Sequence, residues 1–201
     1  MAKRTDRRAT ILTAAAACFT RYGYAKTTLD DIGQACQLNK ASLYYYFPGK
    51  DELFIAVVLQ ESAAFMLALA ERVRHLPTPA AQVRQYLLER LRYYRQVLEQ
   101  HQVSPAALQV LEPRFDLLYA EVKEREISFL GELLAPLLPE AAPEPRHLAR
   151  LLLIVADALK HEAVRQKKLL VAGGLPDLRA AEADTLLLTD LVLAGLAPPP
   201  A

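Results

Sequence analysis

The chain has 201 residues, 53% of them hydrophobic and 23% charged, enough for one large domain or two small ones around a sizeable core. The net charge of +1 hides an asymmetry: residues 1–50 carry eight Lys/Arg against three acids, +5, while residues 51–201 carry sixteen against twenty, −4. A basic head on a mildly acidic body points to a polyanion as the head's partner. The cations Lys3, Arg4, Arg7 and Arg8 lead into a segment with Thr, Cys and Arg rather than a clean apolar run, so no secretory signal is expected. Apolar runs such as Leu151 to Ala156, bounded by Arg150 and Asp157, fall far short of the ~20 residues of a membrane span, and no membrane partner is expected. The two cysteines, Cys18 and Cys36, lie on apolar helix faces, which suits reduced, core-packed thiols of a cytoplasmic protein.

The pattern predicts an all-α fold of about nine helices, because sustained strand alternation and internal repeats are both missing from the sequence. A first helix is expected over residues 6–22, with Ile11, Ala14, Ala15, Cys18, Phe19 and Tyr22 on one face and Gly23 as the stop. Thr28 starts a second helix, with Asp31 three residues on as an approximate capping box. After a break at Gln37-Leu38, Asn39 caps a third helix that ends near Phe47, before Pro48-Gly49. A fourth helix over about 50–75 ends ahead of Pro77 and Pro79, and a fifth covers about 80–102. Ser104-Pro105 opens a short sixth helix. Pro113 is expected to end it and to start a seventh running to residue 135. Helices over about 146–171 and 177–196 complete the chain.

In the third helix Leu43 and Phe47, four residues apart, must point inward. That leaves Lys40, Ala41, Ser42, Tyr44 and Tyr45 on the outward surface. Two short helices, a tight turn and a tyrosine cluster flanked by Lys40 and Lys50 fit a DNA-reading helix-turn-helix. A small residue at 41 lets the helix approach base edges. Tyrosine rings suit a thymine methyl and their hydroxyls a phosphate. Helix starts at Thr28 and Lys50 favour phosphates through their free N–H groups.

The segment resembles the TetR family of bacterial transcription regulators over about residues 8–56. The matching residues are Gly23, Thr27-Thr28, Asp31-Ile32, Leu38, Lys40, the run Ser42 to Phe47, and Lys50 to Leu53. The resemblance implies a homodimer that binds a palindromic operator on double-stranded DNA, usually represses, and is released by a small molecule. It implies that Lys40, Ala41, Tyr44 and Tyr45 read the major groove and that Thr28, Ser42, Tyr46 and Lys50 hold phosphates. It divides the chain into a DNA-binding domain over 1–49 and a ligand-sensing and dimerisation domain over 50–201. The chain departs from the family's pattern at Gly33, Cys36, Gln37 and Ala41. Gln37 stands where glycine is frequent in the turn.

The helices at about 146–171 and 177–196 are apolar around much of their circumference, so each needs more than one packing partner. In TetR-like proteins they form a four-helix seam between two subunits. Pocket candidates in the body are Phe65, Tyr93, Tyr94, Phe115 and Tyr119, which suit a hydrophobic effector and suit plain core packing equally. Asp157 and His161 share a face and admit three readings: a hydrogen-bonded couple, a pocket anchor, or part of the subunit seam. Catalysis is not expected. His75, His101, His147 and His161 are dispersed, and the sequence holds no HExxH, CxxC pair or nucleophile elbow. No cofactor or metal is called for.

Overall fold

Nine α-helices and one short 3-10 helix form the secondary structure of the described residues, 2–139, 143–170 and 177–196 of the computed structural model, and no strand occurs among them. They are α1 (Ala2–Tyr22), α2 (Leu29–Ala35), α3 (Lys40–Tyr46), α4 (Lys50–Arg74), α5 (Pro79–Gln100), α6 (Pro105–Leu118), α7 (Ala120–Leu134), α8 (Pro145–Leu170) and α9 (Arg179–Leu196), with the 3-10 turn at Ala135–Leu137. The chain forms two compact units. The first holds Met1–Ala63 and Gln96–Tyr119, and the second Ala64–Arg95 and Ala120–Ala201, so α4 and α5 each contribute to both.

The core of the first unit collects Ile11, Leu12, Ala15, Cys18 and Phe19 from α1, Leu29 and Ile32 from α2, Leu43 from α3, and Leu53, Phe54 and Val57 from α4. Phe19 meets Phe54 edge-on with ring centroids 5.0 Å apart, and Tyr24 tilts against Phe54 at 4.8 Å. Each such side chain, fully buried, contributes roughly 1.5–3 kcal/mol, so this small unit has ample apolar content to hold three short helices in place. In the second unit Leu69 and Val73, Val83, Tyr86, Leu87 and Leu91, Ile127, Leu130 and Leu134, and Leu152, Leu153 and Ala156 fill the space among α4, α5, α7 and α8.

The helix starts follow the capping residues. Thr28 forms a complete capping box with Asp31, and Asn39 and Ser104 accept the backbone N–H groups of Ser42 and Ala107. Two boundaries differ clearly from the sequence expectation: α1 begins at Ala2 rather than near residue 6, and the break expected at Pro113 is displaced. Pro113 lies inside α6, and the interruption comes at Tyr119 instead. Proline removes a single ladder donor, whereas Leu108, Leu111 and Tyr119 are all buried and hold the helix through it. Tyr119 itself keeps right-handed helical angles, and its N–H donates to the Phe115 carbonyl, so the interruption is slight.

α4 is long and apolar enough by length and composition to cross a bilayer, which the sequence reading did not anticipate. Packing within the protein accounts for that composition: Leu53, Phe54, Ile55, Val57, Val58, Met66, Leu69 and Val73 are buried. Glu61 interrupts the apolar stretch, and its carboxylate lies 2.9 Å from Nε2 of the buried His101.

Candidate nucleic-acid interface

The turn between α2 and α3 sets the whole site. Gln37 has φ +55°, the left-handed region, which costs a non-glycine residue roughly 1–2 kcal/mol. Its N–H donates to the Gln34 carbonyl (3.3 Å), and that of Leu38 donates to the Gly33 carbonyl (2.8 Å), the paired bonds of a Schellman stop. The same turn explains Gly33. A Cβ there would sit 2.6 Å from the Leu38 carbonyl oxygen, a backbone atom that cannot step aside. The glycine stands in the helix, where the turn backbone crosses it, and a glutamine takes the left-handed position.

α3 emerges from this turn with Leu43 fully buried and Phe47 nearly so, while Tyr45 and Tyr44 remain 66% and 49% exposed. Ala41 is exposed, Ser42 and Tyr46 are half-buried, and Tyr46 supports Tyr45 edge-on at 5.1 Å. The outward surface expected from helical periodicity is therefore present: a small residue, two exposed phenols and a cation. The Lys40 ammonium donates to Asp30 at 3.1 Å, which raises its pKa. Both partners are exposed and screened by water, so the pair is weak and the ammonium can exchange Asp30 for a stronger acceptor.

The two expected phosphate contacts at helix starts are more occupied. The Thr28 hydroxyl and N–H both donate to the Asp31 carboxylate, at 2.6 and 2.8 Å, and these bonds lower the Asp31 pKa. An incoming phosphate must share Thr28 with that carboxylate. The Lys50 ammonium donates to the carbonyls of Tyr24 (3.0 Å) and Ala25 (3.3 Å) and lies 4.6 Å from the Tyr24 ring centre. Two of its three N–H donors are committed, leaving one. Asp51 accepts the Tyr24 hydroxyl at 2.5 Å, and Arg114 of α6 pairs with both Asp51 and Glu52. Burial first, then this hydrogen bond, push the Tyr24 phenol up.

Arg8 was not singled out from the sequence. Its guanidinium lies 4.9 Å from the ring centre of Phe47, the residue that ends α3. The signal for it was present: Arg8 stands three residues before Ile11, on the face of α1 that turns toward the core. A cleft of about 300 Å³ opens between α1 and α2, lined by Cys18, Arg21, Tyr22, Asp31 and Gln34 among others. Burial raises the pKa of both Cys18 and Cys36, so neither is an activated thiol.

The pocket candidates fall into separate groups. Phe115 stacks on Tyr119 at 5.1 Å within the first unit. In the second unit Phe65 stacks on Tyr93 at 3.9 Å, and the Lys160 ammonium lies 4.6 Å from the Tyr94 ring centre. Asp157 has partners the sequence could not indicate. It accepts from Arg90 at 2.8 Å and Lys123 at 2.9 Å, with Lys160 at 3.6 Å, while Arg90 also donates to the buried Glu126 at 2.8 Å. Burial opposes ionisation of Asp157, but the neighbouring cations outweigh it and hold the carboxyl well below the usual range. His161 is half-buried one turn on. Among the described residues no group of three or more His, Cys, Asp or Glu is placed to hold a metal.

A model of the family described as "Bacterial regulatory proteins, tetR family" matches residues 11–57, the segment that carries α2, α3 and the turn. The HTH-type transcriptional regulator RutR of Escherichia coli K12 is 34% identical over 85 residues, 42% of this chain and 40% of RutR. The probable acrEF/envCD operon repressor of the same organism is 32% identical over 108 residues, 50% of this chain and 48% of the repressor. The chain thus spans less than half the length of these curated relatives. Over the whole chain the fold is similar to the crystal structure of a TetR-family transcriptional regulator from Pectobacterium atrosepticum, with a TM-score of 0.73 at 24% identity, covering 100% of this chain and 99% of that one.

Proposed function

Because this chain belongs to the TetR family of bacterial regulatory proteins, we propose that it is a cytoplasmic transcription regulator: a homodimer that binds a palindromic operator, represses, and is released by a small hydrophobic effector. Lys40, Ala41, Tyr44 and Tyr45 read the major groove. Ser42, Tyr46, Lys50 and Thr28 hold the flanking phosphates. Residues 1–49 serve DNA binding, and residues 50–201 serve sensing and dimerisation.

The observation that carries this reading is α3 itself. A seven-residue helix with Leu43 fully buried presents two tyrosines to solvent at 49% and 66% exposure. Exposed phenols on a recognition helix pinned by Leu43 suit a partner surface. Phosphate contacts then fix register, and the exposed face specifies sequence.

Dimerisation is supported by α9, whose amphipathicity is inverted. Ala181, Thr185 and Thr189 are buried, whereas Leu187, Leu188 and Leu191 are exposed. On α8 Leu151, Ile154 and Val155 are likewise exposed. A helix that buries small and hydroxyl residues and leaves its leucines outside is built to meet another surface. A second copy supplies one with the two-fold symmetry that a palindrome requires.

Release works through α4, one continuous helix from Lys50 to Arg74 that contributes to both units. An effector that binds one position of α4 better than the other changes the separation of the two recognition helices. Within the second unit the stacked pair Phe65–Tyr93, Tyr94, and the polar Asp157 and His161 are the candidates to line its site, and Phe115 and Tyr119 are separate candidates within the first.

The test is selection of genomic fragments by the purified protein at physiological salt. A recurrent palindrome is expected, and the genes beside it then narrow the effector. Enrichment no greater than that of a control protein, in both the presence and absence of cell extract, would overturn the reading.

A further inference from the structure

Tyr24, in the loop between α1 and α2, is held through its backbone, its ring and its hydroxyl, all within the first unit. Its N–H donates to the His101 carbonyl at 2.7 Å, just past the end of α5. Its ring stacks on Phe19 at 6.2 Å and tilts against Phe54 at 4.8 Å. Its hydroxyl donates to one carboxylate oxygen of Asp51, and the other oxygen of that carboxylate accepts from Arg114 at 3.2 Å. Its carbonyl accepts from the Lys50 ammonium, which also lies over the Tyr24 ring. The turn between α5 and α6 sits tightly on this loop: a Cβ on Gly23 would meet the Gln102 side chain at 3.0 Å. The Arg114 guanidinium spans two carboxylates at the start of α4, those of Asp51 and Glu52. Around it, residues 112–115, 117 and 118 are half-buried or exposed, so no core side chain among them ties this half of α6 down.

We propose that Arg114, Asp51 and Tyr24 form a positioning relay for the Lys50 ammonium, through which α6 sets the strength of one DNA-backbone contact. The inference rests on the reading of Lys50 as a phosphate contact, and it gives the relay residues themselves no contact with DNA. An ammonium on a flexible four-carbon stem must give up its freedom to hold a phosphate. Here the Tyr24 and Ala25 carbonyls take two of its donors, and the third N–H is left to a phosphate in a fixed direction. The bond from the Tyr24 hydroxyl to Asp51 keeps that carbonyl and ring in place, and the Arg114 fork keeps Asp51 in place. A shift of α6 that withdraws Arg114 therefore loosens Lys50 without any movement of α3. Its effect is felt on any duplex, whereas a change in the separation of two recognition helices is felt at a site with two half-sites.

The test uses relay substitutions that keep the charge, so long-range electrostatics stay constant. Affinity of the full chain for a random-sequence DNA duplex is measured near ~0.1 M salt for Tyr24→Phe and Arg114→Lys, each with Lys50 intact and with Lys50→Gln. Lys50→Gln removes one phosphate contact and should cost roughly five- to tenfold. Tyr24→Phe removes only the hydroxyl, and Arg114→Lys keeps the cation but loses the fork across two carboxylates. With Lys50 intact, each relay change is expected to weaken binding roughly two- to fivefold and to lower the salt slope by a fraction of a unit. With Lys50→Gln in place, neither is expected to have a further effect, because the group they position is gone. Should Tyr24→Phe fail to fold, Arg114→Lys carries the same comparison, since Arg114 is half exposed. A relay change that costs the same factor in both backgrounds acts on the fold or on DNA directly, and overturns the inference. So does a relay change that costs nothing with Lys50 intact. Lys50→Gln binding as tightly as the wild type overturns the inference and leaves the DNA-binding reading standing. A wild type that shows no affinity for duplex at low salt overturns both.

Discussion

Gln37 and Gly33 show how one turn can be solved with its special residue displaced. The left-handed angle at Gln37 (φ +55°) carries the penalty of its Cβ. Gln37→Gly should therefore stabilise the protein by roughly 0.5–1 kcal/mol, the relieved strain less the backbone entropy that glycine loses on folding. Urea unfolding measures it, and an unchanged or lower midpoint would refute the strain. Gly33→Ala runs the other way. Its Cβ would press on the Leu38 carbonyl at 2.6 Å, and a loss of about 1–3 kcal/mol is expected as the turn moves. Tyr45 belongs to a different balance. It is 66% exposed, so Tyr45→Ala should leave the melting temperature close to the wild type while weakening the specific site far more than random duplex. Equal losses on both DNAs would make Tyr45 a phosphate contact only. The outward placement of Tyr44, Tyr45 and Ala41 was legible from Leu43 and Phe47 alone, because four-residue spacing fixes a face. The conformation of Gln37 was not, since it depends on how closely Leu38 crosses α2.

Among the elements, the side-chain-capped starts were legible, whereas the start of α1 and one stop were not. Thr28, Asn39 and Ser104 each announce a helix through a local hydrogen bond that the sequence displays. Pro113 announces a break that burial on either side overrides, and burial is a long-range property. The ion cluster joining α5, α7 and α8 was hidden for the same reason: Asp157 finds Arg90 at 67 positions' separation, and no local pattern in α8 reveals it. The sequence reading left Asp157 with three roles open, and the structure gives it Arg90, Lys123 and Lys160 as partners. The cluster sets a pH dependence. Since the folded-state pKa of Asp157 is depressed below its ordinary 3.8, its contribution is complete above that value and is lost as pH falls through the lowered one. Asp157→Asn should cost up to about 3 kcal/mol at neutral pH, because Lys123 and Lys160 lose this carboxylate while Arg90 keeps Glu126. It should also flatten the fall in stability below about pH 4. A variant as acid-sensitive as the wild type would show that the pH dependence originates elsewhere.

At the scale of the whole molecule, the determining feature is what each helix leaves uncovered. α3 leaves tyrosines exposed, the leading turns of α1 leave arginines, and α8 and α9 leave leucines and isoleucine. On the proposed reading base edges and phosphates complement the tyrosines of α3, and an apolar surface complements the leucines. Leu187 and Leu191 lie one turn apart on α9 at 59% and 60% exposure, while Thr185 and Thr189 face inward. A stable interface buries on the order of 1,600 Å² in total, with its central residues dominating the energy. A charge there would be desolvated against an apolar partner face. Leu187→Glu and Leu191→Glu together should therefore convert a dimer to a monomer in sedimentation equilibrium. Because both side chains face solvent within the protomer, helical content should be kept. The monomer should hold random duplex through the same phosphate contacts but lose most of its preference for a palindrome, which needs two half-sites engaged at once. Wild-type protein sedimenting as a monomer at micromolar concentration, or a variant that stays dimeric, would remove α9 from the subunit seam and leave its exposed leucines to some other partner.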